Sequence, residues 1–307
     1  MALARSRRMA EGERVDKPGN IVERARAKIN LTLSVVGRRA DGYHELRSLV
    51  VFADVGDTVT LQLGSSPNVS VAGPFGADIT GRNLVAEALA KLGQREPRLQ
   101  LGSVEIEKNL PVAAGLGGGS ADAAALLRAI RRANPENADT FDWIGFAAEL
   151  GSDVPVCFVN RPSLMWGRGE KVLPLTSLPS LAAVLANPGV PVPADKTTQV
   201  FRRLSAPPIP ETLPDPEPPP SITRAEDAIA YARAHTNDLA EPARDVIPAC
   251  REVEAALASC DGCQLARISG AGPTCFGLFL STEAAQAAAQ QLSRSHPNWW
   301  VRSVTLG

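Results

Sequence analysis

Leu110-Pro111-Val112-Ala113-Ala114-Gly115-Leu116-Gly117-Gly118-Gly119-Ser120-Ala121-Asp122-Ala123 is the stretch on which the reading of this chain turns. Gly115 and Gly117 to Gly119 place four glycines within five positions. Residues without side chains, free to take positive φ, let several backbone N–H groups converge on one anion. Ser120 then opens an Ala/Leu-rich helix expected to run to about Ala133, with Ser120 as its cap. The unsatisfied N–H groups and positive dipole end of a helix start favour a phosphate. Just upstream, Ser103–Lys108 (SVEIEK) reads as a short strand. Strand, glycine loop and helix start together make a phosphate cradle. The Gly-Lys-Ser/Thr ending of the common P-loop is missing, and Gly115-x-Gly117-x-x-Ser120 lacks the third glycine of a dinucleotide fingerprint. A flexible hairpin or a tight crossing would also use glycines. Pro111 ahead of the run and Ser120-Ala121 behind it make it more specific than that.

Working back towards the N-terminus, Arg24, Arg26, Lys28, Asn30, Thr32 and Ser34 alternate with Ala25, Ala27, Ile29, Leu31 and Leu33. Period two over this length predicts a half-buried strand, with Lys28 and Asn30 side by side on its polar face. A turn at Arg39-Ala40-Asp41-Gly42 leads through Tyr43-His44 to strands around Leu49–Ala53 and Thr58–Leu63. Asn83 precedes helically spaced Leu84, Val85, Ala88, Leu89 and Leu92, with Gly93 expected as the C-terminal cap. Towards the C-terminus, a helix over Phe141–Leu150 ends at Gly151. Asp153 is then expected in a helix-to-strand turn before a buried strand, Val154–Val159.

Residues 207–220 (PPIPETLPDPEPPP) hold eight prolines, so this stretch is neither helix nor central strand but an exposed extended loop or insertion. Helices follow near Ala225–Ala234 and Ile247–Ser259, then a strand, Gln264–Ser269, and a second glycine loop, Gly270-Ala271-Gly272-Pro273. Strand Thr274–Leu280, a helix from Thr282 capped by Ser281 or Thr282, and strand Trp300–Thr305 complete the chain. Mixed strands and helices with antiparallel hairpins define an α+β class.

The totals narrow the function. A length of 307 residues predicts two modest domains, and 44 % hydrophobic with 21 % charged residues is ordinary globular usage. A net charge of −1 argues against a nucleic-acid or membrane-surface partner, so a phosphate-bearing ligand must be held by a local pocket. No stretch approaches the ~20 apolar residues that span a bilayer. Residues 1–20 are basic and polar, without a signal-peptide core, and read as a flexible tail on a cytoplasmic protein. Cys260 and Cys263 form one Cys-x-x-Cys pair without a second pair or histidines for zinc. Together with Cys157, Cys250 and Cys275 they read as reduced structural thiols.

Pro111-x-x-x-Gly115-Leu116-Gly117-Gly118-Gly119-Ser120-Ala121 resembles the second motif of the GHMP kinases. Ala27-Lys28-Ile29-Asn30-Leu31 resembles their first, and Ile268-Ser269-Gly270-Ala271-Gly272-Pro273-Thr274-Cys275-Phe276 their third. A finer resemblance, to the branch acting on a cytidine diphosphate alcohol, is carried by Asp41-Gly42-Tyr43-His44, by Gly151-Ser152-Asp153-Val154-Pro155 and by Asn237-Asp238-Leu239. The resemblance implies an N-terminal α/β domain with the phosphate loop (21–163) and a ferredoxin-like C-terminal domain (164–307) carrying the Pro-rich loop at 206–221. The two substrates would meet between the domains, in a monomer or weak dimer.

The same resemblance implies an ATP-dependent small-molecule kinase. Asp153 would be general base and Lys28 its partner, stabilising the developing alkoxide. ATP would be held by Asn83, Lys108, Pro111, Ala113, Ala114, Gly115, Leu116, Gly117, Gly118, Gly119 and Ser120. Asn83 is explained equally well as a helix N-cap. Substrate contacts fall on Asn30, Tyr43, His44, Phe201, Gly270 and Gly272, with Tyr43 and Phe201 sandwiching cytosine and His44 bonding its edge. The loop at Pro193–Gln199 aligns poorly with the family, which loosens the placement of Phe201. Phosphoryl transfer implies Mg²⁺, near Ser120 and Asp153. Ala113 and Ala114, where some relatives have glycine, fit only if both avoid positive φ. Another GHMP kinase, of mevalonate or homoserine type, is disfavoured by the Asp-Gly-Tyr-His segment. A non-catalytic member would have lost Lys28 or Asp153.

Overall fold

The computed structural model describes residues 19–79, 81–210 and 213–307. The expected tail, residues 1–20, lies outside the described residues up to position 18, and Asn20 already opens the first strand. That strand, β1 (Asn20–Asn30), pairs antiparallel with the long β3 (His44–Leu63). The period-two pattern thus yields a strand, but it stops at Asn30, and after two bent residues the chain restarts as β2 (Ser34–Arg38). The two strands expected at Leu49–Ala53 and Thr58–Leu63 are one continuous β3. Its Val50–Ala53 is buried on both faces, which hides the alternation that a sequence pattern needs.

Strand β3 organises the N-terminal sheet. On one edge it pairs with β5 (Gly102–Glu107), which itself pairs parallel with β4 (Asn68–Ala72). On the other it pairs with β1 and then β2, while β6 (Ser163–Gly167) joins Leu46–Val50 of β3 on the same edge as β5 and itself pairs with β7 (Lys171–Pro174). The N-terminal sheet therefore continues past residue 163, where the resemblance implies the domain boundary.

Four helices cover this sheet: α1 (Leu84–Arg95), α2 (Gly118–Ala133), α3 (Trp143–Leu150) and α4 (Val154–Val159). Gly93 lies inside α1, which runs on to Arg95 rather than ending at a glycine cap. Val154–Val159 is helix, not the expected buried strand. Six apolar residues carry too little period to separate the two, and Pro155 in the first turn suits a helix start. Helix α2 packs so closely that Ala121 and Ala123–Ala125 are essentially inaccessible, leaving no room for larger side chains. Phe52, Leu126 and Phe146 fill the layer between helices and sheet.

The second sheet contains β8 (Leu181–Asn187), β9 (Leu265–Ile268), β10 (Cys275–Phe279) and β11 (Trp300–Leu306), in the order β11-β8-β10-β9, all antiparallel. With α8 (Ala249–Ala258) between β8 and β9 and α9 (Thr282–Ser295) between β10 and β11, this is the split βαβ order of a ferredoxin-like domain. Ser281 caps α9 through the Ala284 N–H. Leu306 pairs with Ala53, joining the two sheets edge to edge.

Between the sheets run α5 (Lys196–Leu204), α6 (Ala225–Ala234) and α7 (Ala240–Val246). Helix α5 replaces the loop expected at Pro193–Gln199. The Pro-rich stretch forms no helix or strand among its described residues. It is tied down across β2, β6 and β7: Arg38 N–H donates to the Pro207 carbonyl, Ile209 N–H to that of Arg38, and Trp166 Nε1 and Lys171 to Asp215.

Candidate active site

The three glycine- and lysine-bearing motifs, at 27–31, 111–121 and 268–276 in the chain, meet backbone to backbone. Lys28 N–H donates to the Leu116 carbonyl at 2.8 Å, fixing β1 against the glycine loop. Thr274 N–H donates to the Ala114 carbonyl, and Ser269 Oγ to that of Gly115 at 3.1 Å. A side chain on Gly115 would meet the Gly272 and Ser269 carbonyls at 2.7 and 2.8 Å, and one on Gly117 would meet Lys28 at 3.2 Å. Both glycines hold positive φ, 78° and 65°. Only glycine allows this contact. Asn237 Nδ2 bridges the Ile268 and Gly270 carbonyls, so the Asn-Asp-Leu segment braces the third motif.

Helix α2 begins at Gly118 with Gly117 as its left-handed N-cap, so Ser120 is a first-turn residue, not the cap. The N–H groups of Gly118, Gly119 and Ser120 are therefore the unpaired donors of a helix start, as the cradle requires. Ala113 takes φ 55°, against the expectation that both alanines avoid the left-handed region. An L-residue there costs roughly 1–2 kcal/mol, which the surrounding contacts offset.

This loop forms one wall of a cleft of about 1120 Å³. A single small ligand fills ~300–1,000 Å³, so two substrates fit side by side. Pro111, Ala113, Ala114, Gly115 and Gly117–Ser120 line it, with Asn83 beside them. Leu116 does not: its side chain is buried in the core, and only its carbonyl serves the site. Asn83 caps α1, its Oδ1 accepting from the Val85 and Ala86 N–H groups, while also lining the cleft.

Beside the cradle, Lys28 Nζ lies 3.0 Å from Asp153 Oδ2 and donates to Asn30 Oδ1 at 3.0 Å. Asn30 Nδ2 donates to Ser48 Oγ, which donates to the Thr32 carbonyl. That relay leaves the Asn30 amide one orientation, with its oxygen towards Lys28. Lys28 is buried, whereas the Asp153 side chain is 34 % exposed to the cleft. Asp153 occupies the N-cap position of α4, between two helices instead of before a strand.

Lys108 also lines the cleft but lies beneath the loop, engaged with Asp57 at 2.5 Å and Asp122 at 2.7 Å. Asp57 Oδ1 accepts the Asn109 and Leu110 N–H groups, pinning the entry to the glycine loop. Burial pushes Asp122 up to about 7, with Lys108 opposing and Asp57 reinforcing the shift. One proton on Asp122 makes the three-residue group neutral, as its burial favours.

At the far end, Tyr43 is half exposed, with the Arg168 guanidinium 4.9 Å from its ring centroid. His44 stacks on Phe201 of α5, centroids 4.6 Å apart. Burial, then Arg38, lower the His44 pKa, so the ring is neutral at pH 7. Tyr43, His44 and Phe201 all line the cleft, as do Gly270 and Ala271; Gly272 faces Cys250 and Ile268 instead. Arg168 and Lys196 are lining residues that the motifs did not suggest.

Among the described residues no three His, Cys, Asp or Glu side chains cluster as a metal cage. A Mg²⁺ held by one or two protein oxygens and mainly by phosphates needs none. The five thiols are free, and burial pushes Cys157 up to about 12. No helix among the described residues is long and apolar enough to cross a membrane.

A nucleotide-sized cleft lined by a glycine cradle and, beside it, a lysine–aspartate pair defines a kinase of small molecules. Family models agree: "GHMP kinases N terminal domain" matches residues 63–161 and "GHMP kinases C terminal" residues 223–298. The chain belongs to the GHMP kinases, ATP-dependent enzymes. The relative from Parvibaculum lavamentivorans, 47 % identical over 94 % of this chain and 99 % of its own, is a 4-diphosphocytidyl-2-C-methyl-D-erythritol kinase. A crystal structure of 4-(cytidine 5'-diphospho)-2C-methyl-D-erythritol kinase superposes with TM-score 0.70 at 32 % identity, covering 94 % of this chain and 99 % of that one. Homoserine kinase from Cytophaga hutchinsonii shares the fold alone, with TM-score 0.64 at 18 % identity over 97 % and 98 % of the two chains.

Proposed function

We propose that this chain transfers the γ-phosphate of ATP to the 2-hydroxyl of 4-diphosphocytidyl-2-C-methyl-D-erythritol, a step of the non-mevalonate route to isoprenoid precursors. The observation that carries the chemistry is the Lys28–Asp153 pair, 3.0 Å apart, with Lys28 packed against Gly117 at the start of the cradle helix. Asp153 accepts the hydroxyl proton as the oxygen attacks. Lys28 and the first-turn N–H groups of α2 stabilise charge on the transferring group and the attacking oxygen. Asn30 holds Lys28 on line. A bound Mg²⁺ would supply positive charge to offset that of the phosphates. The Ser120 hydroxyl and the Asp153 carboxylate are the protein oxygens suited to hold it.

The substrate assignment rests on similarity to named relatives and on the aromatic end of the cleft. Tyr43 and Phe201 offer faces to a nucleobase, and neutral His44 offers its edge a donor and an acceptor. Adenine lies towards Asn83. The protein acts in the cytoplasm, as a monomer or weak dimer. Incubation of the purified chain with ATP and each alcohol in turn tests the assignment. Phosphorylation of the cytidine-bearing alcohol, with mevalonate and homoserine left untouched, is expected. Turnover of either competitor instead overturns it.

A further inference from the structure

Lys196, the first residue of α5, lies in the cleft wall with 5 % of its surface exposed, and its ammonium lacks the partner that a buried cation ordinarily has. Nζ donates to the Ala113 carbonyl at 2.8 Å and to the Gly272 carbonyl, one from each glycine motif. Among the described residues no carboxylate comes within ion-pair distance of it. Burial pushes it down to about 8, with the Cys250 sulfur acting weakly the other way. Its place in the first turn of a helix adds the positive end of the dipole. Two neutral carbonyls offset little of the penalty of burying a cation.

An ammonium has three N–H bonds, and two are spent on these carbonyls. The position also matters: Ala113 and Ala114 of the cradle lie on one side, and Thr197, Thr198 and Phe201 on the other, all lining the cleft. We propose that Lys196 is a further phosphate-binding residue, whose remaining N–H meets a phosphate oxygen of the polyphosphate lying between the glycine cradle and the α5 wall. The anion supplies the missing counter-charge. This inference rests on the kinase reading above. Two polyphosphates enter the cleft, the triphosphate of ATP and the diphosphate of the alcohol, and both present the same chemistry.

Lys196→Met and Lys196→Arg in the full chain test it. The expected result is a KM for one co-substrate raised about tenfold or more by Met, as loss of a charged hydrogen bond implies, with kcat little changed and Arg restoring most of the affinity. The co-substrate affected identifies the source of the phosphate. In parallel, titration with ADP and CDP should weaken in the Met variant while adenosine and cytidine bind as before. Unchanged ADP and CDP affinity, or an equal loss for nucleotides and nucleosides alike, overturns the proposal and leaves Lys196 as a staple between two loops. Should the Met variant fail to fold, amine acylation of the wild-type protein read by mass spectrometry decides. ADP or CDP, but not the nucleosides, must protect Lys196, and absence of that protection overturns the proposal. Wild-type protein that binds ADP yet leaves the alcohol unphosphorylated defeats only the substrate assignment, since the ADP arm still judges Lys196.

Discussion

Two lysine–aspartate groupings lie within reach of the glycine loop, one beneath it and one beside it, and they do different things. Under the loop, Lys108 is closed in by Asp57 and Asp122, whose side chains are 0 % and 4 % exposed. Asp57 is also saturated by two backbone N–H groups. Beside the loop, Lys28 meets one carboxylate, Asp153, a third of which remains open. The chemical types are the same. What separates them is unspent hydrogen-bonding capacity facing space: Asp153 can take a proton from a substrate, and Asp57 cannot. An ion pair near a phosphate cradle is therefore no sign of catalysis until its exposure is known.

Substitutions break this contrast in graded ways. Asp153→Asn removes the open carboxylate and should lower kcat at least tenfold, within the ~10²–10⁴ range of general-base catalysis, while nucleotide affinity measured by titration is retained. Full turnover would deny Asp153 its role. Lys108→Met should instead unfold the floor. Two buried carboxylates lose their cation, at about 3–5 kcal/mol, so the thermal midpoint and the denaturant midpoint should both fall. Activity lost without loss of stability would make Lys108 a ligand contact, as the sequence motif suggests.

A smaller effect is expected at the aromatic end. Phe201→Ala should raise KM for the cytidine-bearing alcohol, by the ~1–3 kcal/mol of a stacked base, and leave KM for ATP unchanged. A further effect concerns pH. Asp122 sits at about 7 in the folded chain against 3.8 unfolded, so the native state holds its proton more tightly. Its contribution to stability is present below pH 4 and is lost as pH rises through 7. Asp122→Asn should flatten that part of the stability curve measured by chemical denaturation. An unaltered slope would place the proton elsewhere in the group.

How much of this was legible in the sequence follows from how local each signal is. The glycine cradle could be read because every element of it lies within Ser103–Ala133, and the ferredoxin-like order because its strands are separate and well bounded. Lys28 and Asp153 were found through motif resemblance, since no local pattern joins residues 125 positions apart. The resemblance gives Lys108 as an ATP contact; its carboxylate partners, at 57 and 122, come from a different strand and a helix interior, so no local pattern shows them. Lys196 was hidden in Pro193–Gln199, where one proline and mixed polar residues read as loop although α5 starts there. Val154–Val159 shows the limit of periodicity, because six apolar residues suit a buried strand as well as a helix.

The central claim is that the bare amides of Gly118 to Ser120 hold the transferable phosphate while Lys28 and Asp153 face it. A crystal structure with a non-hydrolysable ATP analogue measures this directly. The account predicts the triphosphate on those N–H groups, with the γ-phosphate oxygens within about 4 Å of Lys28 Nζ, the reach of an ion pair. A triphosphate seated elsewhere, or a γ-phosphate turned away from Lys28 and Asp153, would contradict it.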